Sequence, residues 1–296
     1  MKRVFSVLVL VVLVCSGAFA ADVTLSDARS SGLQVVSETT DGPGNVTLHM
    51  TCGIDKLQSY DVSTPKGEFT VLHTPQFYFG GAYGAPQLPI ITKLVQIPFG
   101  ADFKVVVKNS DTTEYDLSKY GITNRVYPRQ PSAPKDGSEV PFVYEKSAYI
   151  HKGFNGLPLT SMQEVGTMRN MRLALLTIAP IKYNAVDNKI AVYNNIEFDV
   201  VMTGANLKSD KAAAEAYATP AFAWAENMVL VPNSLRFNVR NAAQSYLIIT
   251  DPMFKDAIAP FAAWKTQKGF KVDVVTTDKF GTGAAITEPL KAYIHN

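Results

Sequence analysis

Lys189-Ile-Ala-Val-Tyr-Asn-Asn-Ile-Glu-Phe-Asp-Val-Val201 carries the clearest structural signal in the chain. Apolar and polar side chains alternate along it with a period of two, the mark of a half-buried strand rather than a helix. Lys189 to Tyr193 and Ile196 to Val201 are predicted as two strands. Asn194-Asn195 is predicted as the turn of a hairpin between them, because asparagine tolerates the positive φ such a turn demands.

The same texture extends outward in both directions. Val46, Leu48, Met50 and Cys52 alternate with Thr47, His49 and Thr51, and Phe103, Val105 and Val107 alternate with Lys104, Val106 and Lys108. From Ala21 to about Gly204 such runs are separated by Gly, Pro, Asn and Asp, without a convincing helical period. The reading is a mainly β chain opening with an antiparallel β-sandwich over residues 21–206. One segment departs from it. Val126 to Pro141 carries Pro128, Pro131, Pro134, Pro141 and Gly137, which cannot supply the donors of a central strand, so it is predicted as an exposed loop.

Upstream, Lys2 and Arg3 precede an apolar run from Val4 to Val14, too short to cross a bilayer, and Ala18-Phe-Ala20 closes it with a small-x-small pattern. Residues 1–20 are therefore read as a secretory signal peptide cleaved between Ala20 and Ala21, which implies the secretion machinery as a partner and export by the Sec pathway. No later segment reads as a membrane span. Cleavage removes Lys2, Arg3 and Cys15, leaving the basic side chains equal in number to the 26 acidic ones. A neutral chain without a basic, aromatic-interleaved cluster has no electrostatic reason to bind nucleic acid. With Cys52 alone remaining, no internal disulfide is available.

Downstream, residues 207–243 turn to Lys, Asp and Ala, then to Pro232-Asn-Ser-Leu-Arg-Phe-Asn-Val-Arg240, a polar linker suited to proteolytic nicking. From residue 244 the period changes again. Tyr246 to Thr250 reads as a fully buried strand. A helix follows, with Asp251 as its cap, Pro252 at its first position, Pro260 as a kink and Gly269 as its stop. Phe270 to Val275 is the next strand and Thr287 to His295 the next helix. This βαβα order opens an α/β parallel sheet, and residues 244–296 are too few to complete one, so the chain reads as a fragment.

Three segments in this order resemble the gingipain-type cysteine peptidases of peptidase family C25, beginning with their propeptide. They are Gly84-Ala-Pro-Gln-Leu-Pro89 running on to Ile97-Pro-Phe-Gly-Ala101, Val165-Gly-Thr-Met-Arg169 running on through Ala179-Pro-Ile-Lys-Tyr-Asn184 to Ile196-Glu-Phe-Asp-Val200, and Tyr246-Leu-Ile-Ile-Thr250 followed by Phe261-Ala-Ala-Trp-Lys-Thr-Gln-Lys-Gly-Phe270. The resemblance implies a secreted zymogen: a β-sandwich propeptide that inhibits its own caspase-like catalytic domain and aids its folding. Protein or peptide substrates would belong to the mature enzyme. The family's catalytic His and Cys would lie beyond this segment, so no catalytic residue is assigned and this fragment is expected to be inactive. No cofactor is expected here, and the resemblance leaves calcium to the catalytic part that follows.

Several residues invite a role. Cys52 and His49 could suggest a thiolate–imidazole pair, but residues three apart in a strand face opposite sides, and Cys52 is read as a core residue. Asp187-Asn188 lacks the spacing of a calcium loop and reads as a turn. A cut after Arg240, or secondarily Arg236, would release the catalytic domain just ahead of its first strand. On the proline-rich loop, Arg129 first, then Arg125 and Lys135, are candidates to occupy the peptidase specificity pocket in a substrate-like way. The competing reading is a secreted β-sandwich adhesion or carbohydrate-binding module using Phe77-Tyr-Phe79 and Tyr83, fused to a non-catalytic α/β domain.

Overall fold

A computed structural model describes residues 21–25, 28–42, 44–217, 223–237 and 245–295. The expected signal peptide, including Ala20, lies outside the described residues, as does Arg240. The chain forms two compact units, one within Met1–Asp210 and Met228–Arg236, the other within Lys211–Asn227 and Phe237–Asn296.

In the first unit the strands run β1 (Ala21–Thr24), β2 (Gly32–Thr40), β3 (Val46–Gly53), β4 (Lys56–Thr64), β5 (Gly67–His73), β6 (Tyr78–Gly80) and β7 (Leu88–Ile97). They continue with β8 (Asp102–Asp116), β9 (Arg125–Val126), a one-turn helix α1 (Ser147–Ile150), β10 (Thr160–Met168), β11 (Met171–Ile178), β12 (Ile181–Asn184) and β13 (Lys189–Thr203). Three sheets result. Two have the orders β1-β4-β5-β9 and β10-β11-β7-β6, and the third runs β12-β13-β3-β2 with β8 also on β13. Apart from the two-residue β5–β9 contact, these pairings are antiparallel.

Two cores follow from the alternation seen in the sequence. One is filled by Leu48, Met50 and Cys52 of β3, Val95 and Ile97 of β7, Leu176 of β11, and Phe198 and Val200 of β13. The other gathers Val23 and Leu57 with Leu72, Val126, Tyr183, Ile190 and Val192. β13 therefore serves both, its first half one core and its second half the other. Here the structure corrects the hairpin expected at Asn194-Asn195: residues 189–203 are one strand. Asn195 does take the positive φ, 48°, but uses it for a bulge. The register against β8 slips between Asn194 and Glu197 and slips back between Glu197 and Phe198. The two offsets cancel, so Ile190, Val192, Asn194, Ile196, Phe198 and Val200 all remain buried. A continuous strand wins because β3 and β8 flank the bulge and supply pairing partners on both sides.

Buried polar groups at this joint are matched. Asn194 Nδ2 donates to the Ile54 carbonyl (2.8 Å) and its Oδ1 accepts from the Ile54 N–H (3.0 Å). Asn195 Oδ1 accepts from the Arg29 N–H at 2.8 Å, and its Nδ2 donates to Asp111 at 2.7 Å. Gly53 permits the approach, since a Cβ there would lie 2.2 Å from the Ser30 carbonyl.

After helix α2 (Leu207–Tyr217) and the short α3 (Ala223–Glu226), the second unit pairs β14 (Ser245–Thr250) parallel to β15 (Lys271–Thr276), with α4 (Lys255–Gln267) between them and α5 (Thr287–His295) after. Asp251 Oδ1 caps the entry by accepting from the Met253 N–H, and Pro252 opens the first turn. At the exit the Gly269 N–H bonds the Thr266 carbonyl and the Phe270 N–H the Lys265 carbonyl, a Schellman closure with Gly269 at φ 92°. The Trp-Lys-x-x-Lys-Gly-Phe string thereby gains a physical reason. The Lys265 ammonium stands 4.8–5.4 Å from the rings of Tyr246, Trp264, Phe270 and Phe261, fastening α4 over β14. α4 runs through Pro260 as one helix. β14 is not fully buried as expected: Ser245 and Leu247 are exposed and Tyr246, Ile248, Ile249 and Thr250 half-buried, because one neighbouring strand and one helix cannot cover both faces of a two-stranded sheet.

Candidate inhibitory loop and maturation junction

The proline-rich segment is only partly a loop. Its first residues continue from β9 as extended backbone: the Tyr127 N–H bonds the Thr70 carbonyl, Pro128 bridges Pro86, and Arg129 exchanges backbone bonds with Ala85 and Gly84 at 2.9 and 2.8 Å. Proline fits here because the partner backbone need not accept from it. The next residue closes the base. Gln130 Nε2 donates to the Val143 carbonyl (2.8 Å) and its Oε1 accepts from the Val143 N–H (2.9 Å), so a side-chain amide replaces a strand partner across 13 positions.

An aromatic cluster holds the returning limb. Phe69 lies 5.7–6.4 Å from the rings of Tyr127, Phe142, Tyr144 and Tyr149, and Tyr144 stacks on Tyr149 at 4.8 Å. The buried Tyr149 hydroxyl donates to the Val126 carbonyl at 2.7 Å, and burial pushes its ionisation well above the usual phenol range. The neighbouring Tyr183 phenol, also buried, is pushed up to about 12.

Between these anchors, residues 132–141 are exposed. The tip is a turn over Pro134-Lys-Asp-Gly137, in which the Gly137 N–H returns to the Pro134 carbonyl and Gly137 adopts φ 77°. Asp136 accepts from the Ser138 N–H and hydroxyl, which hold its carboxyl below the usual range.

The three basic candidates sit differently. Arg129 is half-buried. Its Nη1 donates to the Gly81 carbonyl at 3.0 Å, and its guanidinium lies 5.5 Å from the centre of the Tyr83 ring. Arg125 is exposed, its Nη1 donating to the Tyr144 hydroxyl at 2.9 Å and its guanidinium 6.0 Å from the Tyr149 ring. Lys135 is exposed at the corner of the tip turn. The amide clamp of Gln130 gives no signal in the sequence, since a glutamine between Arg129 and Pro131 belongs to no periodic pattern and its partner is set by the fold.

The junction is likewise structured. Val229 packs with Met171 and Leu173, and Leu230 pairs with β7, its N–H bonding the Leu94 carbonyl (2.8 Å) and its carbonyl the Gln96 N–H (2.9 Å). A 3-10 turn over Asn233–Leu235 follows, and Arg236 is exposed just after it.

The remaining candidates have ordinary roles. Cys52 lies fully buried in the first core, and burial pushes its thiol up to about 12. His49 is on the opposite face, Nδ1 bonded to Asp199 at 2.7 Å and Nε2 to the Thr39 hydroxyl at 3.1 Å. Asn184 Oδ1 accepts from the Val186 and Asp187 N–H groups, making the expected turn. Among the described residues no three His, Cys, Asp or Glu side chains gather as a metal site, and no helix is long and apolar enough to cross a membrane.

A β-sandwich with a clamped loop thus comes first in the chain, and a parallel strand–helix–strand unit follows it. The chain belongs to peptidase family C25: its residues 26–219 match the family of C25 propeptides (Propeptide_C25), and residues 240–296 match Peptidase family C25 itself. Lys-gingipain of Porphyromonas gingivalis (strain ATCC 33277) is 34% identical over 265 residues, which cover 84% of this chain and 15% of that protein. Gingipain R1 of Porphyromonas gingivalis is 24% identical over 265 residues, covering 87% of this chain and 25% of that protein. The chain thus spans a small part of the curated relatives it matches.

Two solved structures share the fold. One, from work on the zymogenic latency of gingipain K from Porphyromonas gingivalis, superposes with a TM-score of 0.55 at 34% identity, covering 62% of this chain and 98% of that one. The other, from a complex of the RgpB pro- and mature domains, superposes with a TM-score of 0.51 at 19% identity, covering 68% and 98%.

Proposed function

We propose that this chain is the N-terminal zymogen portion of a secreted, gingipain-like cysteine endopeptidase, and that its sandwich inhibits the catalytic domain that follows and aids its folding. The carrying observation is the loop 131–141, exposed at its tip and fixed at its base by the Gln130–Val143 amide pair and the Phe69 aromatic cluster. A tip held on a rigid base presents a peptide to a cleft without the entropy loss of ordering it first. The family match favours this reading over an adhesion module.

Lys135 is the residue we assign to the specificity pocket. Arg129 commits its guanidinium to Gly81 and Tyr83, and Arg125 bonds Tyr144, whereas Lys135 is exposed within the turn Pro134–Gly137. The relatives at 34% identity are named for lysine, which accords with a lysine in this place. Removal of the signal peptide between Ala20 and Ala21 and a cut after Arg240 or Arg236 complete the maturation scheme, with calcium left to the later part of the catalytic domain.

The test is inhibition of the mature peptidase, released from the precursor that carries this chain, by the purified sandwich. Lys135→Ala should raise the inhibition constant by at least tenfold while Arg129→Ala changes it less. Equal inhibition by Lys135→Ala and the unsubstituted sandwich would remove Lys135 from the pocket, and no inhibition by the unsubstituted sandwich would overturn the zymogen reading.

A further inference from the structure

Three independent contacts hold Met228–Arg236 against the sandwich. The first is apolar: Val229 is 6% exposed among Met171 and Leu173, with Leu94, Met168 and Val231 beside them. The second is backbone pairing, Leu230 lying parallel to Val95 along the edge of β7 that β11 does not occupy. The third is a carboxylate. Glu38 of β2 accepts from the N–H groups of Asn233 and Ser234, the latter at 2.9 Å, nearly 200 positions along the chain. These are the first donors of the 3-10 turn, which would otherwise lack acceptors. Leu235 is then 5% exposed, and the Arg236 N–H turns back to the Asn233 carbonyl at 3.1 Å.

This geometry bears on cleavage. A protease reads several residues on each side of the bond it cuts, and it needs them extended with their side chains available. Here the four residues ending at Arg236 are wound into a turn, with Leu235 pointing into the protein and the turn capped by Glu38. The exposed Arg236 side chain therefore advertises a bond that its own backbone withholds.

We propose that Met228–Arg236 is a latch: Glu38, the Leu230 pairing with β7 and the Val229 contact keep the Arg236–Phe237 bond from being cut until the segment lifts, which leaves Arg240 as the arginine cut first. The latch has a built-in weak point. Ser234 Oγ is buried with no hydrogen-bond partner among the described residues, and an unmade buried hydrogen bond works against the docked form. Cutting a latched bond proceeds through the open form, so its rate follows the population of that form when reclosing is fast. The biological meaning of the latch rests on the maturation scheme above, but its existence does not.

The experiment is limited trypsin digestion of the purified chain without its signal peptide, scored by mass spectrometry as the initial rate of cutting after Arg236. The reference is the same bond in a synthetic peptide of residues 228–244. The folded chain should be cut there at least 100-fold more slowly than the peptide. Glu38→Ala should raise the rate at least tenfold, and Ser234→Ala, which removes the unpaired hydroxyl, should lower it. Cutting of the folded chain at the peptide rate, an unchanged rate in Glu38→Ala, or a faster rate in Ser234→Ala overturns the latch. No peptidase partner enters the assay, so a failure of the inhibitor reading leaves this result standing and the reverse.

Discussion

The side chain of Asn194 pairs with the backbone of Ile54 as a neighbouring strand would, giving one hydrogen bond and taking one across 140 positions of sequence. Both residues are buried, Asn194 at 5% and Ile54 at 0% exposure. This amide is the place where β13 passes from one core to the other. Truncating it would strand an N–H and a carbonyl away from water, each at a cost of about 1–3 kcal/mol. Asn194→Ala is expected to destabilise the first unit by ~2–4 kcal/mol, read as a lower midpoint in urea with an unchanged slope. A loss under about 0.5 kcal/mol would show the joint to be held elsewhere.

Gln130 plays the corresponding part at the loop. Gln130→Ala should leave the cores intact and shift the global unfolding midpoint little, yet loosen residues 131–141. The expected readout is faster digestion by a lysine-specific protease at Lys135, together with weaker inhibition of the mature peptidase. Gln130→Glu, which keeps an acceptor and loses the donor, should fall between the two.

Cys52 is expected to be inert. With its thiol pushed up to about 12, roughly one side chain in 10⁴ is thiolate at pH 8, and the sulfur is enclosed besides. Alkylation by iodoacetamide at pH 8 should be at least 100-fold slower in the native chain than in urea. Rapid native labelling would contradict this packing.

Acid should unfold the first unit partly through Asp199. Burial opposes its carboxylate, but the bonds from His49 and Lys108 outweigh burial and set its ionisation below the usual range. A carboxyl whose folded pKa is depressed contributes stability above its unfolded value, near 3.9, and loses it as pH falls through the folded one. Asp199→Asn should therefore flatten the stability profile below about pH 4. Asp210 acts with the opposite sign. Burial raises its carboxyl despite the Phe99 N–H it accepts from, so its contribution is present at low pH and fades as pH rises.

The N-terminal strand offers a further check. β1 begins at Ala21, paired with Ser59, and carries Val23 into the second core with no exposure. On the proposed maturation scheme, the exported chain should start at Ala21 by mass spectrometry. Val23→Ala should cost ~2 kcal/mol, as for other buried aliphatic truncations.

Several local features are legible in the amino-acid sequence alone. Alternation places Cys52 inside and His49 outside, because side chains of a strand must point to opposite faces whatever the strand packs against. Asp251, Pro252 and Gly269 mark the ends of the helical segment after β14, since caps are satisfied within a few residues of themselves. The prolines of 126–141 announce a segment unable to sit inside a sheet, but not that its first third lies extended against Gly84 and Ala85, nor that Gln130 closes it.

Local sequence set the period of each element and the conformations its turn residues permit. Asn195 was bound to allow a positive φ. Whether that φ reversed the chain or made a bulge in a 15-residue strand was decided by tertiary structure, through β3 and β8 lying alongside. Glu38 and Ser234 were in plain view as a strand carboxylate and a linker serine, yet their meeting depended on how the chain returns to the edge of β7. Local rules act over the reach of a few peptide bonds. Contacts between residues nearly 200 positions apart are chosen by the packing of the whole fold.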